Sequence, residues 1–382
     1  MDLSLTEDQE LIKGSVEKFI IETYDSESRR KTIKGNLGSD DTIWKQFAEL
    51  GWLGLPFSEK DGGFGGDFMD LHILMESFGK GLVIEPYIST VILSGSVLSL
   101  CPDSKIRTQI INNIIEGINK VSFAYAEPNS RYNISDVSTS AKLENNKWVL
   151  NGHKSVVFGA GQSDYIIVSA RTSGDRYGED GISLFVIEKD NKGIEVQDYP
   201  TVDGFKAAEV ILNDVHISTD NLISDENQAY NIIQKSIDKT LVAIAAEASG
   251  IMSKMYEMTL EYIKTRKQFG VPIGKFQAIQ HRTVEMLILS DEMKSLASMA
   301  ALKADNSDGL KSIYASKIHI GIGGRKLGQE AIQLHGGMGV TEEMDIGQYF
   351  KRITMLDTFL GNSDYYLGAY SCLLYTSDAA DE

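Results

Sequence analysis

Apolar residues recur at helical spacing in two separate parts of the chain, near its start and near its end. In the first part, "LTEDQELIKGSVEKFIIETY" places Leu11, Val16 and Phe19 three to five positions apart. From about residue 228 onward, longer helical periodicities continue with few interruptions. This pattern is typical of amphipathic helices, and its extent in the last part favours a four-helix bundle.

Between these parts the pattern changes to short β-branched or aromatic runs. They lie between residues 120 and 223 and are separated by Gly, Asn, Asp and Pro, which predicts a small all-β domain, a barrel or a sandwich. The predicted fold is therefore mainly α with a middle β domain. Its expected parts are an N-terminal helical domain (1–119), the β domain (120–224) and a C-terminal helical bundle (225–371).

Residues 372–382 are predicted not to belong to the natural protein. The run "CLLYTSDAADE" resembles the translation of an adapter used in sequencing libraries, read through in frame. On this interpretation the natural chain continues differently after about Ser371. The alternative is a genuine polar tail.

Charge and composition narrow the classes of function. The 382 residues carry a formal net charge of −17, which argues against a nucleic-acid partner because such binding needs an extended basic face. The N-terminus has no signal-peptide pattern, and no uncharged apolar run approaches the roughly 20 residues of a membrane span. We therefore expect a cytoplasmic protein. Two cysteines, Cys101 and Cys372, give no disulfide framework. The six histidines are not spaced as metal ligands, so the sequence predicts no metal site.

The stretch "TRKQFGVPIGKFQ", residues 265–277, concentrates positive charge in this acidic chain. Arg266 and Lys267 lie at the predicted end of one helix, before a Gly-Val-Pro turn, and Gln277 and Gln280 lie where the next helix begins. Unpaired N–H groups at a helix start, together with nearby cations, form an anion site. The stretch alone is also compatible with a solvated helix hairpin that carries scattered charges.

A second glycine-containing stretch, "QLHGGMGVTEE", begins at Gln333. Gly336, Gly337 and Gly339 allow positive φ angles or the close approach of a ligand to the backbone. A helix stop explains such glycines equally well. Their spacing does not match a dinucleotide-binding fingerprint.

Together these stretches resemble the acyl-CoA dehydrogenase family. "YIKTRKQFGVPIGKFQAIQHRTVEM" and "AIQLHGGMGVTEE" are similar to its two C-terminal signatures, and "FAELGWLGLPFSEKDGGFGG" and "NGHKSVVFGAGQSDYIIVSART" follow the family's order. The resemblance covers nearly the whole chain up to the suspect tail. It implies FAD between the β domain and the bundle, an acyl-CoA substrate, a homo- or hetero-oligomer, and an electron-transfer flavoprotein as acceptor.

The resemblance also assigns cofactor contacts. The family's Arg-x-x-Phe-Gly pattern, which meets the pyrophosphate and adenine of a FAD held mainly by the neighbouring subunit, matches "RKQFG" here. Its Gln-x-x-Gly-Gly matches "QLHGG". The implied FAD contacts are Arg266, Phe269, Gly270, Gln277, Gln333, Gly336, Gly337 and Asn362.

The family's catalytic base is missing from both of its usual positions. In the family a carboxylate takes the proton α to the thioester carbonyl, while the β-hydrogen leaves as hydride to the flavin. This chain has Leu360 in place of the Glu of Glu-Gly-Thr, and Thr240 followed by Leu241 at the other position. Neither is a base at neutral pH, although the backbone N–H of Leu360 can still polarise the thioester carbonyl.

Glu247 is the nearby carboxylate that stands out, because it interrupts the apolar run "LVAIAA" seven residues after Thr240. A Glu in such a segment is either satisfied by a structural partner or held with a raised pKa for proton transfer. Helical rise separates it from the Thr240 position by about 10 Å. Both interpretations remain open at this point.

The flavin contacts of the family are also changed. The family often has Trp and Thr shortly after the lysine that corresponds to Lys154, whereas this chain has Ser155, Val156 and Val157. The Thr of the family's Thr-Glu-Pro is Ala126. Side-chain hydroxyl contacts to a flavin are thus lost, and backbone N–H groups are the available replacement.

These departures resemble the small subunit of pimeloyl-CoA dehydrogenase-type enzymes, which work with a large acyl-CoA dehydrogenase-like subunit. The motifs concerned are "FAELGWLGLP", "GKGLVIEPY", "GHKSVV", "AAEA" and "LHGG". We therefore expect the base-lacking small subunit of a heteromeric acyl-CoA dehydrogenase. Two alternatives are a self-sufficient homo-oligomer that uses Glu247 as base and a structural subunit that has lost its flavin.

Overall fold

The computed structural model describes residues 5–35 and 38–378, with side chains up to residue 375. It confirms a mainly helical chain with a middle β domain. The α-helices are α1 (Glu7–Thr23), α2 (Ser26–Lys34), α3 (Asp41–Glu49), α4 (Phe68–Gly81), α5 (Gly95–Leu100), α6 (Lys105–Ile115), α7 (Tyr230–Thr265), α8 (Gln277–Lys303), α9 (Gly309–His319), α10 (Arg325–His335), α11 (Ile346–Thr358) and α12 (Ser363–Asp378).

Seven strands form one curled sheet in the middle of the chain. The strands are β1 (Val121–Ala124), β2 (Ser140–Glu144), β3 (Lys147–Phe158), β4 (Tyr165–Arg171), β5 (Ile182–Glu188), β6 (Ile194–Pro200) and β7 (Lys206–Ser218). Their order is β1-β4-β2-β3-β7-β6, and β5 pairs with β4. β1 runs parallel to β4, while the β2–β3, β3–β7, β4–β5 and β6–β7 ladders are antiparallel.

Burial along the strands explains their places in the sheet. β4 and β5 are buried almost throughout, as expected for strands covered on both faces. β6 is the last strand in the sheet order and exposes most of its residues, among them Glu195 and Asp198. Charges on an edge strand discourage further strand addition. The domain core includes Trp148 and Phe185, whose rings meet edge to face at 5.1 Å.

The chain forms two compact units. One consists of Met1–Arg29, Asp67–Val83 and Leu241–Glu382, and the other of Arg30–Gly66 and Ile84–Thr240. Each unit therefore combines segments that are far apart in sequence. The predicted domain boundaries after residues 119 and 224 stay predictions.

In the first unit, helices α4 and α7 touch through glycine. A Cβ atom at Gly79 would lie 2.1 Å from the carbonyl oxygen of Glu247, and one at Gly250 would lie 2.0 Å from that of Glu76. Only glycine permits this approach of two backbones. The contact places Glu247 inside the packed helices, where it is 3% exposed.

The N-terminal helix follows its predicted apolar pattern only in part. Val16 is completely buried, whereas Leu11 is 71% exposed. Within residues 5–35 and 38–378, no helix combines the length and apolar character needed to cross a membrane.

The suspect tail continues α12 as far as Asp378. Residues 379–382 lie outside the described part of the chain. That residues 372–382 are foreign to the natural protein stays a prediction.

Candidate active site

The cationic stretch after α7 folds as a tight hairpin. Two-residue strands β8 (Lys267–Gln268) and β9 (Val271–Pro272) pair antiparallel, and the Ile273 N–H donates to the Arg266 carbonyl at 2.8 Å. The turn residues are Phe269 and Gly270, both with positive φ (54° and 82°), the geometry of a primed hairpin turn. The predicted Gly-Val-Pro turn was therefore right for Gly270 and wrong for Val271 and Pro272, which belong to the return strand.

The hairpin and the residues just after it present exposed cations and an aromatic ring, Phe269, that touches Phe276 edge to face but is otherwise exposed. Arg266, Lys267 and Lys275 are exposed, and no ion pair engages them among the residues that the structure describes. The neighbouring Lys264 is instead bonded to Glu261 at 2.9 Å. Phe269 is 91% exposed, an unusual position for an aromatic side chain with positive φ. We infer that the hairpin is shaped to meet a ligand or another chain.

The start of α8 lies directly behind the hairpin. Its N-cap, Phe276, offers no side-chain hydrogen bond, which leaves the first N–H groups of the helix available. Gln277 is exposed, whereas Gln280 donates from Nε2 to the Gly274 carbonyl at 2.9 Å. Gln280 thus supports the loop, while Gln277 remains open to a ligand.

The second predicted cofactor segment follows α10. Gln333 is exposed, and its carbonyl accepts the N–H of Gly336. Gly336 has φ 62° and ψ −144°, a conformation essentially restricted to glycine. A Cβ at Gly337 would meet nothing within 4 Å, so this stretch of backbone is open on the side where a side chain would stand.

His335 supports this turn from inside. Its ring stacks on Tyr262 with centroids 4.3 Å apart, and its Nδ1–H donates to the Ala331 carbonyl at 2.8 Å. Burial lowers the pKa of His335 despite the backbone hydrogen bond. The neutral ring is therefore a structural support for the segment.

The turn between α11 and α12 carries the residue that stands where the family has its base. Leu360 has φ 61° and is buried, and Gly361 has φ 120°. A Cβ at Gly361 would collide with Tyr366 at 2.5 Å. The Tyr366 hydroxyl donates to the Leu360 carbonyl at 2.8 Å. Among the described residues, no hydrogen bond engages the Leu360 N–H.

Asn362 has a local structural task. Its side-chain oxygen accepts the N–H of Tyr365 at 3.0 Å at the start of α12, which is the contact of a helix N-cap. Its predicted role as a cofactor contact stays a prediction.

Glu247 has a charged partner that the local sequence pattern did not indicate. Arg352 of α11 donates from Nε to Oε1 at 2.6 Å and from Nη2 to Oε2 at 3.0 Å. Both side chains are buried, at 8% and 4% exposure for Arg352 and Glu247. A two-pronged pair of this kind favours the structural interpretation of Glu247 over a role as base.

Thr240, at the other position where the family carries its base, is also engaged. Its hydroxyl donates to the Ser236 carbonyl one turn earlier at 2.7 Å, and the residue is fully buried. It offers no proton acceptor of useful basicity.

In the second unit, the strand that carries the altered flavin motif is irregular. The β3–β7 register shifts between Lys154 and Val157, and Val156 has φ 53° and is 47% exposed. The Ser155 N–H donates to the Ala126 carbonyl at 2.9 Å. The two segments that lack the family's hydroxyls are thus joined through their backbones.

A buried ion pair holds the same segments from the inner side. Lys154 Nζ lies 2.8 Å from Glu127 Oε1, and the N–H groups of Ser138 and Thr139 donate to the same carboxylate at 2.9 Å each. Burial raises the pKa of Glu127, but Lys154 and these donors outweigh it and bring the pKa to about 2. Glu127 is therefore ionised at neutral pH, and its charge opposes the lowering of the Lys154 pKa by burial.

Sequence reasoning missed several of these buried charged residues. The interactions of Lys154, Lys317, Arg352 and Asp357 join positions that are far apart in the chain. The available signal was a charged residue inside an otherwise apolar helical or strand pattern. No group of three or more His, Cys, Asp or Glu suited to a metal ion occurs within the described ranges.

Comparisons with known proteins agree with this architecture. Models of the N-terminal, middle and C-terminal domains of acyl-CoA dehydrogenase match residues 6–112, 122–215 and 227–369. The chain is 28% identical over 370 residues to probable acyl-CoA dehydrogenase YngJ of Bacillus subtilis (strain 168), covering 95% of this chain and 97% of that protein.

Two solved structures extend the comparison. The FAD complex of PigA superposes with a TM-score of 0.91 at 25% identity, covering 98% of this chain and 99% of that one. The ChsE4-ChsE5 complex from Mycobacterium tuberculosis gives 0.88 at 20% identity, with 98% and 99% covered, a likeness of fold. With three domain matches in order along most of its length, this chain belongs to the acyl-CoA dehydrogenase family.

Proposed function

We propose that this chain is the base-lacking subunit of a heteromeric FAD-dependent acyl-CoA dehydrogenase, of the type of the pimeloyl-CoA dehydrogenase small subunit. The complex introduces a double bond between the α and β carbons of an acyl-CoA thioester, with an electron-transfer flavoprotein as acceptor. Family membership supports an oxidoreductase acting on CH–CH bonds with FAD as cofactor. The finer role rests on the contacts of Glu247 and Asp357 and on the N–H of Leu360.

The main observation behind the proposal is that the nearby carboxylates are already hydrogen-bonded to other groups of the chain. Glu247 is held by Arg352 through two hydrogen bonds. Asp357 accepts the Ser363 N–H at 2.9 Å and the Arg325 guanidinium at 3.0 Å. A guanidinium stabilises the ionised form of the carboxylate that it contacts. It also holds that carboxylate in place, so the carboxylate cannot approach a substrate C–H group. A base from another subunit can instead remove the proton from the α-carbon.

The donor set of the hairpin and the glycine turn suits FAD. Three exposed cations that no ion pair engages within the described residues, the open start of α8 and the accessible backbone at Gly337 provide the donors that a diphosphate requires. Arg266, Phe269, Gln277, Gln333 and Gly337 are the residues that we propose hold it. FAD supplies the acceptor for the hydride that leaves the β-carbon.

The chain's own contribution to the chemistry is a hydrogen-bond donor. The Leu360 N–H has no partner among the described residues and can donate to the thioester carbonyl oxygen. Such a donor stabilises the negative charge that develops on this oxygen as the α-proton leaves. The change from Glu to Leu removes the base and leaves the donor in place.

A heteromeric arrangement has a precedent in the fold. The ChsE4-ChsE5 complex contains two different chains. In a paired enzyme one subunit can lose a carboxylate that its partner retains, which gives a physical reason for two empty base positions in one chain.

The decisive experiment compares the lone protein with a co-expressed complex. The partner to test is a large dehydrogenase-like subunit, sought first in the reading frames next to this gene, and the assay is reduction of an artificial electron acceptor with a panel of acyl-CoA thioesters. We expect a yellow complex that turns over and a lone protein that does not. Replacement of the partner's carboxylate should abolish turnover.

The alternatives give different results. If the lone protein is active and Glu247→Gln abolishes this activity, the self-sufficient homo-oligomer is correct. Glu261→Gln, an exposed position on the same helix, is the matched control. If both preparations are colourless and release no nucleotide on heating, the chain is a structural subunit and the proposal fails.

A further inference from the structure

Lys317 is a fully buried lysine whose interactions converge on the turn of the candidate active site. It lies on α9, and its Nζ donates to the carbonyls of Leu356 and Phe359, the latter at 2.8 Å. Leu356 lies in the last turn of α11 and Phe359 directly follows that helix, where carbonyls lack partners within the helix. A buried lysine without a carboxylate in contact is rare and calls for a physical reason.

The Phe359 carbonyl belongs to the same peptide unit as the Leu360 N–H. Because a peptide unit is planar and trans, fixing the direction of its carbonyl fixes the direction of its N–H. A hydrogen bond to the carbonyl oxygen also polarises the unit and strengthens its N–H as a donor. Lys317 therefore acts on the peptide unit that carries the Leu360 N–H.

We propose that Lys317 is a positioning residue that aims and strengthens the Leu360 N–H as the donor to the thioester carbonyl. The inference rests on the proposed function, because it assumes that a thioester is bound at this turn. Lys317 itself does not touch the substrate. It works through the Phe359–Leu360 peptide.

The surrounding contacts hold the turn at both of its ends. Tyr366 donates to the Leu360 carbonyl, and Asp357 accepts the Ser363 N–H. Leu360 adopts φ 61°, a conformation that costs a non-glycine residue free energy and persists only when neighbouring contacts enforce it. Strain of this kind is frequent at functional sites.

The helix that carries Lys317 is itself irregular beside the turn. A π-helical segment, Ile320–Gly324, follows α9, and such segments occur often at functional sites. A Cβ at Gly321 would lie 2.3 Å from Asp357 Oδ1. The glycine thus lets α9 approach the turn closely enough for Lys317 to reach the two carbonyls.

The charge of Lys317 is adjustable near neutral pH. Burial lowers its pKa to about 7, although Asp357 opposes the shift. A neutral amine retains two N–H donors, so both carbonyl contacts survive deprotonation. Protonation of Lys317 consequently changes how strongly the Phe359–Leu360 peptide is polarised, while both hydrogen bonds to the carbonyls remain.

Two charged side chains on neighbouring helices, Arg325 and Glu292, have partners of their own. Arg325 is bonded to Asp357 on α11. Glu292 of α8 lies 3.9 Å from His319, whose Nε2 is at 3.0 Å from the Leu289 carbonyl. Among the described residues, Asp357 is the charged side chain that acts on the pKa of Lys317.

The sequence permits a direct test, because Phe359–Leu360 is its single Phe–Leu pair. In the FAD-loaded full chain, labelling phenylalanine with carbonyl carbon-13 and leucine with nitrogen-15 yields one correlated signal from this peptide. We expect its carbonyl shift to titrate with a midpoint of about 7. In Lys317→Met the titration should disappear and the carbonyl signal should move to the position of a weaker hydrogen bond.

The wild-type titration tests the proposal even if Lys317→Met does not fold. A carbonyl signal that stays unchanged between about pH 6 and about pH 9 overturns it. Tyr366→Phe, which removes the contact to the next carbonyl, should retain the titration. Loss of the titration in Tyr366→Phe as well would mean that the turn merely responds to general packing.

A second measurement connects Lys317 to the thioester. In the assembled enzyme with carbonyl-labelled butyryl-CoA, the infrared carbonyl stretch should lie lower than in water. Lys317→Met should reverse part of this shift, and kcat should fall by about tenfold with little change in KM. Ser316→Ala, which removes a buried hydrogen bond to Ile313 on the same helix, should change neither.

The outcomes separate the two proposals. If wild type neither binds nor turns over any acyl-CoA, the proposed function fails, while the titration of the Phe359 carbonyl still decides whether Lys317 polarises the peptide. If the thioester binds and the infrared shift is identical in wild type and Lys317→Met, the positioning role is wrong and the function stands.

Discussion

Two fully buried lysines, one in each compact unit, differ in the groups that they contact. Their comparison shows how these groups determine what a buried amine can do. Lys154 on β3 faces the carboxylate of Glu127 at 2.8 Å. Lys317 on α9 faces carbonyl oxygens. Both side chains are removed from water to the same extent, so the difference between them comes from their partners.

A carboxylate partner keeps a buried ammonium charged and fixed, whereas carbonyl partners stabilise it less. Burial lowers the pKa of both lysines, to about 7 for Lys317, while Glu127 opposes the shift at Lys154 and has its own pKa held at about 2. The first lysine suits a permanent structural pair that ties β3 to the 126–139 segment. The second suits a site whose electrostatics change near neutral pH.

The largest expected effect comes from removing the carboxylate of the first lysine. Glu127→Gln leaves Lys154 buried without a counter-charge, and we expect the free energy of unfolding to fall by about 4 kcal/mol. Urea denaturation at neutral pH measures it. Glu209→Gln, whose partner His153 is 44% exposed, should cost less than about 1 kcal/mol. Equal losses would contradict the comparison.

Lys317 should make the free energy of unfolding depend on pH. Its pKa is about 7 in the folded chain and 10.5 ordinarily, so the unfolded chain binds more protons between these values, and stability rises with pH there. Relative to Lys317→Met, wild type should gain about 2 kcal/mol between about pH 7 and about pH 9. Urea denaturation of both proteins across this range measures the slope, and parallel curves would refute the lowered pKa.

Exposed cations provide the contrast to both buried lysines. Arg266→Ala should weaken FAD binding by about tenfold, because a charge-assisted contact to a diphosphate is lost. The change should shrink at high salt. Titration of the apoprotein, in its native assembly, with FAD measures the affinity. Lys264→Ala, adjacent but already paired with Glu261, should change it little.

The smallest effect concerns a neutral donor at the same turn that Lys317 supports. Tyr366→Phe removes one hydrogen bond to the Leu360 carbonyl, and we expect a loss of about 1 kcal/mol in unfolding free energy. Tyr370→Phe on the same helix is the control, since no hydrogen bond engages its hydroxyl within the described residues. A larger loss than for Glu127→Gln would reverse the assumed order of strengths.

Much of the fold and part of the candidate site could be predicted from local patterns. The periods of apolar residues located the helical and β parts, and the matched motifs pointed to the hairpin and the glycine turn. The hairpin's turn was misplaced, because Pro272 suggested a stop where it begins a return strand. The role of Glu247 could not be decided, because its partner Arg352 lies 105 positions away.

The sequence by itself determined the order of helical, β and helical parts and the residue types at each motif, including the absence of a carboxylate at Leu360 and Thr240. The tertiary structure decided which charges meet: Arg352 with Glu247, Glu127 with Lys154, and Lys317 with the end of α11. The spacing of apolar residues shows which face of each segment is buried and which is exposed to water, and this is a local property of the sequence. The partner of a buried charge depends on which distant backbone packs beside it, and only the folded chain contains that information.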